Sequence, residues 1–110
     1  KVKNFILKFN KKLFGINYDL GNSASLNFNV SEEFKFYSNR IFNIHIKDRE
    51  LFGSTVALGK GNVNFKKFFL ELNKSKYKGN FILQTARSKS SNHVKDLKKY
   101  KSFLEKGINL

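Results

Sequence analysis

The 110-residue sequence has no cysteine, proline, tryptophan or methionine. The absence of cysteine excludes disulfide bonds, thiolate zinc sites and cysteine nucleophiles, and it fits a reducing, cytoplasmic location. No apolar run approaches the roughly 20 residues that a membrane-spanning helix needs, and no signal-peptide pattern opens the chain. We therefore expect neither membrane insertion nor secretion. Motifs of serine hydrolases, P-loops and dinucleotide-binding loops are also absent.

Acidic residues are scarce, because 8 Asp and Glu stand against 22 Lys and Arg, which gives a net charge of +14. Such a charge would suit a nucleic-acid surface, since phosphate neutralisation dominates that kind of affinity. However, 19 of the basic residues are Lys and only 3 are Arg, whereas base-edge contacts favour Arg. The lysines are also scattered singly or in pairs. We interpret them as a solvated surface and do not expect a nucleic-acid partner; a polyanion-binding surface is the alternative.

Hydrophobic residues make up 40% of the chain and include 13 Phe, which indicates a folded core. Apolar spacing predicts four helices alternating with three short strands. The predicted helices cover residues 4–12, 31–40 with Ser31 as N-cap, a segment from the N-cap Asn64 through Leu72, and a segment from His93 to Gly107; the predicted strands cover 14–20, 41–46 and 81–84.

This α–β–α–β–α–β–α order predicts parallel strands joined by right-handed crossovers. The nearly continuous apolar run at 41–46 predicts a strand buried on both faces. Three strands with helices on one side would leave two edges and one apolar face uncovered. We therefore interpret residues 1–110 as a single partial domain, with the missing part of a barrel supplied by the same longer chain or by a partner subunit.

Each predicted strand ends in a polar residue, namely Asp19, His45 and Gln84. In a parallel α/β barrel the carboxyl ends of the strands form the active face. One carboxylate, one imidazole and one amide oxygen suit Mn²⁺, Mg²⁺, Co²⁺ or Zn²⁺ and leave positions for substrate. Taken alone, Asp19 could simply begin a turn and His45 could be a satisfied core residue. Their joint placement at three successive strand ends favours a divalent-metal site.

Four sequence blocks resemble the last three βα units of the xylose-isomerase-like TIM-barrel sugar-phosphate isomerases and epimerases. The similarity covers about residues 5–105. It implies an α/β fold, the C-terminal part of a (β/α)8 TIM barrel, with about three βα units preceded by a helix. The blocks are YDLGN at 18–22, NIHIKDR at 43–49, LGKGNVNF at 58–65 and YKGNFILQ at 77–84.

The resemblance implies a divalent metal held by carboxylates and one histidine. Asp19 would be the aspartate ligand and His45 the histidine ligand, and Gln84 stands where the family usually has a glutamate. A further glutamate, from a strand upstream of Lys1, would complete the set. An amide oxygen can bind a metal, but it cannot act as a base, so Gln84 argues against epimerisation by two bases.

The resemblance also implies substrate contacts around these ligands. Asn22 matches a position that often contacts metal or substrate, and Arg49 is placed to hold a sugar hydroxyl or phosphate. The loop at 59–61 could offer backbone N–H groups to the same anion. Arg87, just beyond Gln84, points toward the same rim and is a candidate for a second anion contact.

The implied activity is proton abstraction next to the carbonyl of a small sugar or sugar phosphate, assisted by the metal. The substitution at Gln84 favours a one-base isomerase, a dehydratase-like enzyme or a barrel that only binds its ligand. The alternatives are an endonuclease IV-like DNA-repair enzyme and a non-catalytic barrel remnant or partner subunit. We expect the complete barrel to be the enzyme and the 110-residue chain alone to be inactive.

Overall fold

The computed structural model describes residues 8, 15–87 and 92–108. Except for Lys8, the predicted helix at 4–12 lies outside the described residues. The described elements, in chain order, are β1 (Ile16–Asp19), α1 (Leu20–Ser25), α2 (Val30–Tyr37), a 3-10 turn (Ser38–Arg40), β2 (Ile41–Ile46), β3 (Asp48–Arg49), β4 (Thr55–Val56), α3 (Phe65–Ser75), β5 (Asn80–Leu83) and α4 (His93–Ile108).

Strands β1, β2 and β5 form one sheet in that order, and both neighbouring pairs are parallel. Asp19 pairs with His45, and His45 pairs with Ile82, so the carboxyl ends of the three strands lie at the same edge. The prediction of three parallel strands joined by helical crossovers is therefore confirmed. Strands β3 and β4 form a separate antiparallel hairpin just beyond the end of β2.

One face of the sheet packs against the helices. Ile44, Ile46 and Phe68 are completely buried, and Phe34 makes an edge-to-face contact with Phe68 at a centroid distance of 6.1 Å. Fully buried side chains of this size contribute about 1.5–3 kcal/mol each, so this layer is the main source of stability. The core consists of Tyr18, Leu20, Phe34, Ile41, Ile44, Ile46, Phe68, Phe69, Leu72 and Leu104.

The opposite face of the sheet is mostly polar, which corrects the expectation of an exposed apolar face, although Ile82 beside His45 is 39% exposed. Asn43 Nδ2 donates to Asn17 Oδ1 at 2.8 Å, and Asn80 Nδ2 donates to Asn43 Oδ1 at 3.3 Å. These amides form a ladder across all three strands. The prediction that 41–46 is buried on both faces is likewise wrong, because Asn43 and His45 are only half-buried on this side.

Side-chain caps fix where the helices begin. Asn64 Oδ1 accepts from Lys67 N at 3.0 Å, so α3 begins at Phe65 as predicted. The predicted cap Ser31 is wrong, because Asn29 Oδ1 accepts from Glu32 N at 3.1 Å and α2 begins at Val30.

Three short elements lie in regions that were predicted as loops or as part of a longer helix. They are α1, the 3-10 turn that ends the predicted helix at 31–40, and the β3–β4 hairpin. Among the helices at 15–87 and 92–108, none has the length and apolar character to span a membrane.

Candidate active site

The three predicted metal ligands lie near one another at the carboxyl edge of the sheet. Asp19 ends β1 and pairs in register with His45 of β2. Gln84 directly follows β5, and its N–H donates to Ile46 O at 2.9 Å, which continues the ladder by one residue. His45 Nδ1 lies 2.9 Å from Gln84 Oε1. The structure therefore brings Asp19, His45 and Gln84 together at this edge, although Ile82 is the register partner of His45 and Gln84 lies two residues further along. We call these three residues the strand-end row.

Asp19 has a structural role as well as its place in the strand-end row. Its Oδ1 accepts from Asn22 N at 2.9 Å and caps α1, so Asp19 does begin a turn, as the alternative interpretation proposed. Its Oδ2 lies 3.4 Å from Lys47 Nζ. An ionised carboxylate offers about four lone-pair positions, so these two interactions leave acceptor capacity for a further ligand. The capping role and a metal-binding role are therefore compatible.

The donor types of the row, a carboxylate, an imidazole and an amide oxygen, suit a divalent cation. Two ligands that lie about 2.1 Å from one ion at a right angle are separated by about 3.0 Å. The 2.9 Å separation between His45 Nδ1 and Gln84 Oε1 has that value, and it also suits a direct hydrogen bond from the Nδ1–H tautomer. Across 15–87 and 92–108, no group of three His, Cys, Asp or Glu residues is clustered for metal binding, so the row depends on the Gln84 amide.

Asn22 and Arg49 are brought together near Asp19. Arg49 Nη1 donates to Asn22 Oδ1 at 2.8 Å, while Nε and Nη2 both donate to Gly53 O at 3.0 and 2.6 Å. These bonds tie α1 to the β3–β4 hairpin. The guanidinium has five N–H donors, so three bonds leave two for an oxyanion.

Arg87 follows β5, one edge strand of the sheet, whereas Asn22 follows β1, the other edge strand. It is exposed and lines an open cavity of about 480 Å³ together with Gln84, His93 and Asp96. Arg87 therefore lies next to the Gln84 end of the strand-end row, and Arg49 contacts α1 beside the Asp19 end.

The expectation that the loop at 59–61 offers its N–H groups to a substrate anion is wrong, because the carboxylate of Asp48 accepts from Gly59 and Gly61. Gly59 N and Gly61 N donate to Asp48 Oδ2 at 2.9 and 3.0 Å. Arg49 N and Val63 N donate to Asp48 Oδ1 at 2.9 and 3.0 Å. Asp48 is completely buried, and its carboxylate organises the loop that follows β2.

Sequence reasoning missed Asp48. The signal that could have indicated it is an acidic residue next to a buried strand, followed by a Gly-x-Gly loop whose N–H groups need acceptors.

Behind the strand-end row, a partly buried carboxylate links α1 to α2. Tyr18 Oη and Ser23 Oγ donate to the two oxygens of Glu33 at 2.8 and 2.9 Å. Burial raises the pKa of Glu33, and the two hydrogen bonds oppose that shift. Burial and the nearby Glu33 carboxylate also raise the pKa of Tyr18. This network holds α1, and with it the Asp19 cap, against the helical layer.

Comparison with known proteins identifies a family. Residues 1–106 match the family model described as xylose isomerase-like TIM barrel. A Haemophilus influenzae protein that bears the inferred name L-ribulose-5-phosphate 3-epimerase SgbU is 33% identical over 82 residues. That alignment covers 68% of this chain and 29% of the relative, so the chain spans less than a third of that protein's length.

Solved structures show the same fold. A xylose isomerase domain protein from Planctomyces limnophilus matches 96% of this chain and 42% of its own, with 24% identity and a TM-score of 0.76. A D-tagatose 3-epimerase-like protein matches 98% of this chain and 40% of its own, with 22% identity and a TM-score of 0.75. The chain therefore has the fold of part of a TIM barrel, as predicted.

Proposed function

Because the chain belongs to the xylose isomerase-like TIM-barrel family, we propose that the protein is a divalent-metal-dependent isomerase or epimerase acting on a small sugar or sugar phosphate. The observation that carries the proposal is the strand-end row at the carboxyl edge of a parallel sheet, in which Asp19 pairs in register with His45 and Gln84 Oε1 lies 2.9 Å from His45 Nδ1. In TIM barrels this edge is the active face. The epimerase name of the Haemophilus relative supports the substrate class.

In this proposal Asp19, His45 and Gln84 hold the ion, which is Mn²⁺, Mg²⁺, Co²⁺ or Zn²⁺. When bound, the ion polarises the carbonyl and hydroxyl oxygens of the sugar and so acidifies the neighbouring C–H. His45 would bind through the lone pair on Nδ1, which requires the neutral imidazole with its proton on Nε2.

The chain's own polar groups would orient the substrate around the ion. The two uncommitted N–H donors of Arg49, beside Asn22, would bind a hydroxyl or phosphate oxygen near Asp19. Arg87 would bind an anionic group near Gln84. The Gln84 amide cannot accept the substrate proton, so a carboxylate from another part of the barrel would act as the base. This arrangement favours a one-base isomerisation.

A hydrogen-exchange assay on the full-length protein tests the proposed function. The protein is stripped of metal with a chelator, reloaded with Mn²⁺ or Co²⁺, and incubated in D₂O with pentuloses, hexuloses and their phosphates. We expect metal-dependent loss of the proton signal next to the carbonyl in NMR spectra. His45→Ala should lower the exchange rate roughly 100-fold or more, because even the loss of a residue that only supports a metal ligand typically costs about 10–100-fold. Exchange that persists without metal, or no exchange with any of these sugars, contradicts the proposal.

A further inference from the structure

Lys47 is a charged group next to the strand-end row that the proposed function does not use. It directly follows β2, which ends at Ile46, and lies two residues beyond His45. Its Nζ lies 3.4 Å from Asp19 Oδ2, and the two side chains are only 18% and 22% exposed. The pair is therefore shielded from solvent far more than an ordinary surface ion pair.

The position of the Lys47 stem is built into the fold. A Cβ atom at Gly21 would collide with Lys47 Cγ and would lie 2.9 Å from the Lys47 carbonyl oxygen. Gly21 is itself buried in α1, the helix that Asp19 caps. The bare backbone at Gly21 thus makes room for the lysine stem and directs its ammonium toward Asp19.

The ammonium and a metal ion would share one carboxylate. Asp19 Oδ1 accepts from the N–H of Asn22 and Oδ2 faces the Lys47 ammonium, so an ion bound at either oxygen shares the carboxylate with Lys47. Two cations that meet at one carboxylate repel each other at short range. Gln84 contributes no charge to offset that repulsion. The ammonium therefore opposes metal binding while it lies beside the carboxylate that would hold the ion.

We propose that Lys47 is a second cation of the active site, which stabilises the negative charge that develops on the substrate oxygen beside Asp19. The inference rests on the proposed function and deepens it, because it adds a residue that contacts the reacting part of the sugar. An ammonium acts as a compact point charge, and preorganised charge of this kind is worth most where water is excluded. The Lys47 charge should therefore weaken metal binding and raise kcat.

The test is Lys47→Met in the full-length protein, since methionine keeps an unbranched stem against Gly21 and removes the charge. We expect Mn²⁺ to bind about tenfold more tightly in a calorimetric titration, because a neighbouring like charge is gone. We expect kcat for the exchange reaction to fall roughly 100-fold, the usual effect of losing one charge-stabilising group. Lys47→Arg keeps the charge and should leave the Mn²⁺ Kd within about twofold of the wild-type value.

Lys74→Met is the matched control. Lys74 also pairs with a carboxylate, Glu71 at 3.6 Å, but its side chain is 73% exposed on α3. Neither the metal affinity nor kcat should change in that variant. Lys47→Gln provides a second neutral side chain and should behave as Lys47→Met does.

Outcomes of two kinds overturn the inference. If both neutral variants bind Mn²⁺ more weakly and turn over more slowly, Lys47 only supports the structure of the site. If they match the wild type in affinity and kcat, the ammonium has no role there. A wild-type protein that binds no Mn²⁺ instead overturns the proposed function, and the inference with it, so the two failures are distinguishable.

Discussion

Two aspartates lie near the carboxyl edge of the parallel sheet, Asp19 at the end of β1 and Asp48 at the start of the hairpin beyond β2, and their surroundings differ sharply. Asp48 is completely buried, and its carboxylate accepts four backbone N–H groups at 2.9–3.0 Å. Asp19 is partly exposed; it accepts one backbone N–H and faces one lysine. Asp48 is saturated by the protein, and Asp19 retains acceptor capacity for a ligand.

This difference shows that a carboxylate near the carboxyl edge of a parallel sheet is not identified as a functional residue by its position alone. Both aspartates occur in the sequence blocks that carry the family resemblance. The two residues differ in the number of hydrogen-bond donors around the carboxylate. Asp48, which has four, shapes a loop, whereas Asp19 can still bind an ion. Gly59 and Gly61 are also excluded as backbone donors to the substrate, because their N–H groups donate to Asp48.

Removing each carboxylate should lower the stability of the protein, and the loss should be much larger for Asp48 than for Asp19. Asp48→Ala in the full-length protein leaves four N–H groups without their acceptor, and we expect a loss of about 3–5 kcal/mol in the free energy of unfolding. Asp19→Ala removes one helix cap and should cost about 1 kcal/mol. Urea denaturation of both variants measures the two values. Equal losses would show that Asp48 does not organise the loop as its contacts indicate.

A third carboxylate, that of Glu33, is intermediate in its surroundings and should have a smaller effect on stability. Glu33 accepts from only two hydroxyl groups, and burial raises its pKa above the ordinary value of 4.5. A raised pKa in the folded state means that the folded protein holds this proton to higher pH than the unfolded chain. The stabilising contribution is therefore fully present below pH 4.5 and is lost as the pH rises through the raised pKa.

Glu33→Gln removes this titration and is the control for it. We expect the unfolding free energy of the wild type, relative to Glu33→Gln, to be highest below pH 4.5 and to decline toward neutral pH. Urea denaturation at a series of pH values measures this difference. A constant difference across the series, or one that grows with pH, would mean that hydrogen bonding rather than burial dominates at Glu33.

The regular elements with strong local signals were predictable from the sequence. Strand 41–46 has the predicted bounds, and the α3 cap at Asn64 is confirmed. α1 was not predictable, because its six residues have no apolar stripe and it depends on the Asp19 cap. Asp48 was missed because three of its four donors lie 11–15 residues further along the chain.

The location of the candidate site was predictable from the sequence, but the contacts among its side chains were not. The parallel alternation of strands placed Asp19, His45 and Gln84 at one edge, and the structure brings them together. The Asn22–Arg49 bond and the Lys47–Asp19 pair depend on loop geometry that no local pattern encodes. The metal itself stays a prediction.

The most direct test of the central claim is a Mn²⁺ titration of the full-length protein, followed by calorimetry, for the wild type and Asp19→Ala. Glu71→Gln is the matched control, because Glu71 is a lysine-paired carboxylate on α3, away from the strand-end row. We predict that Asp19→Ala weakens Mn²⁺ binding roughly 100-fold and that Glu71→Gln leaves it unchanged. Equal Mn²⁺ affinity in the wild type and Asp19→Ala would contradict the assignment of the strand-end row as the metal site.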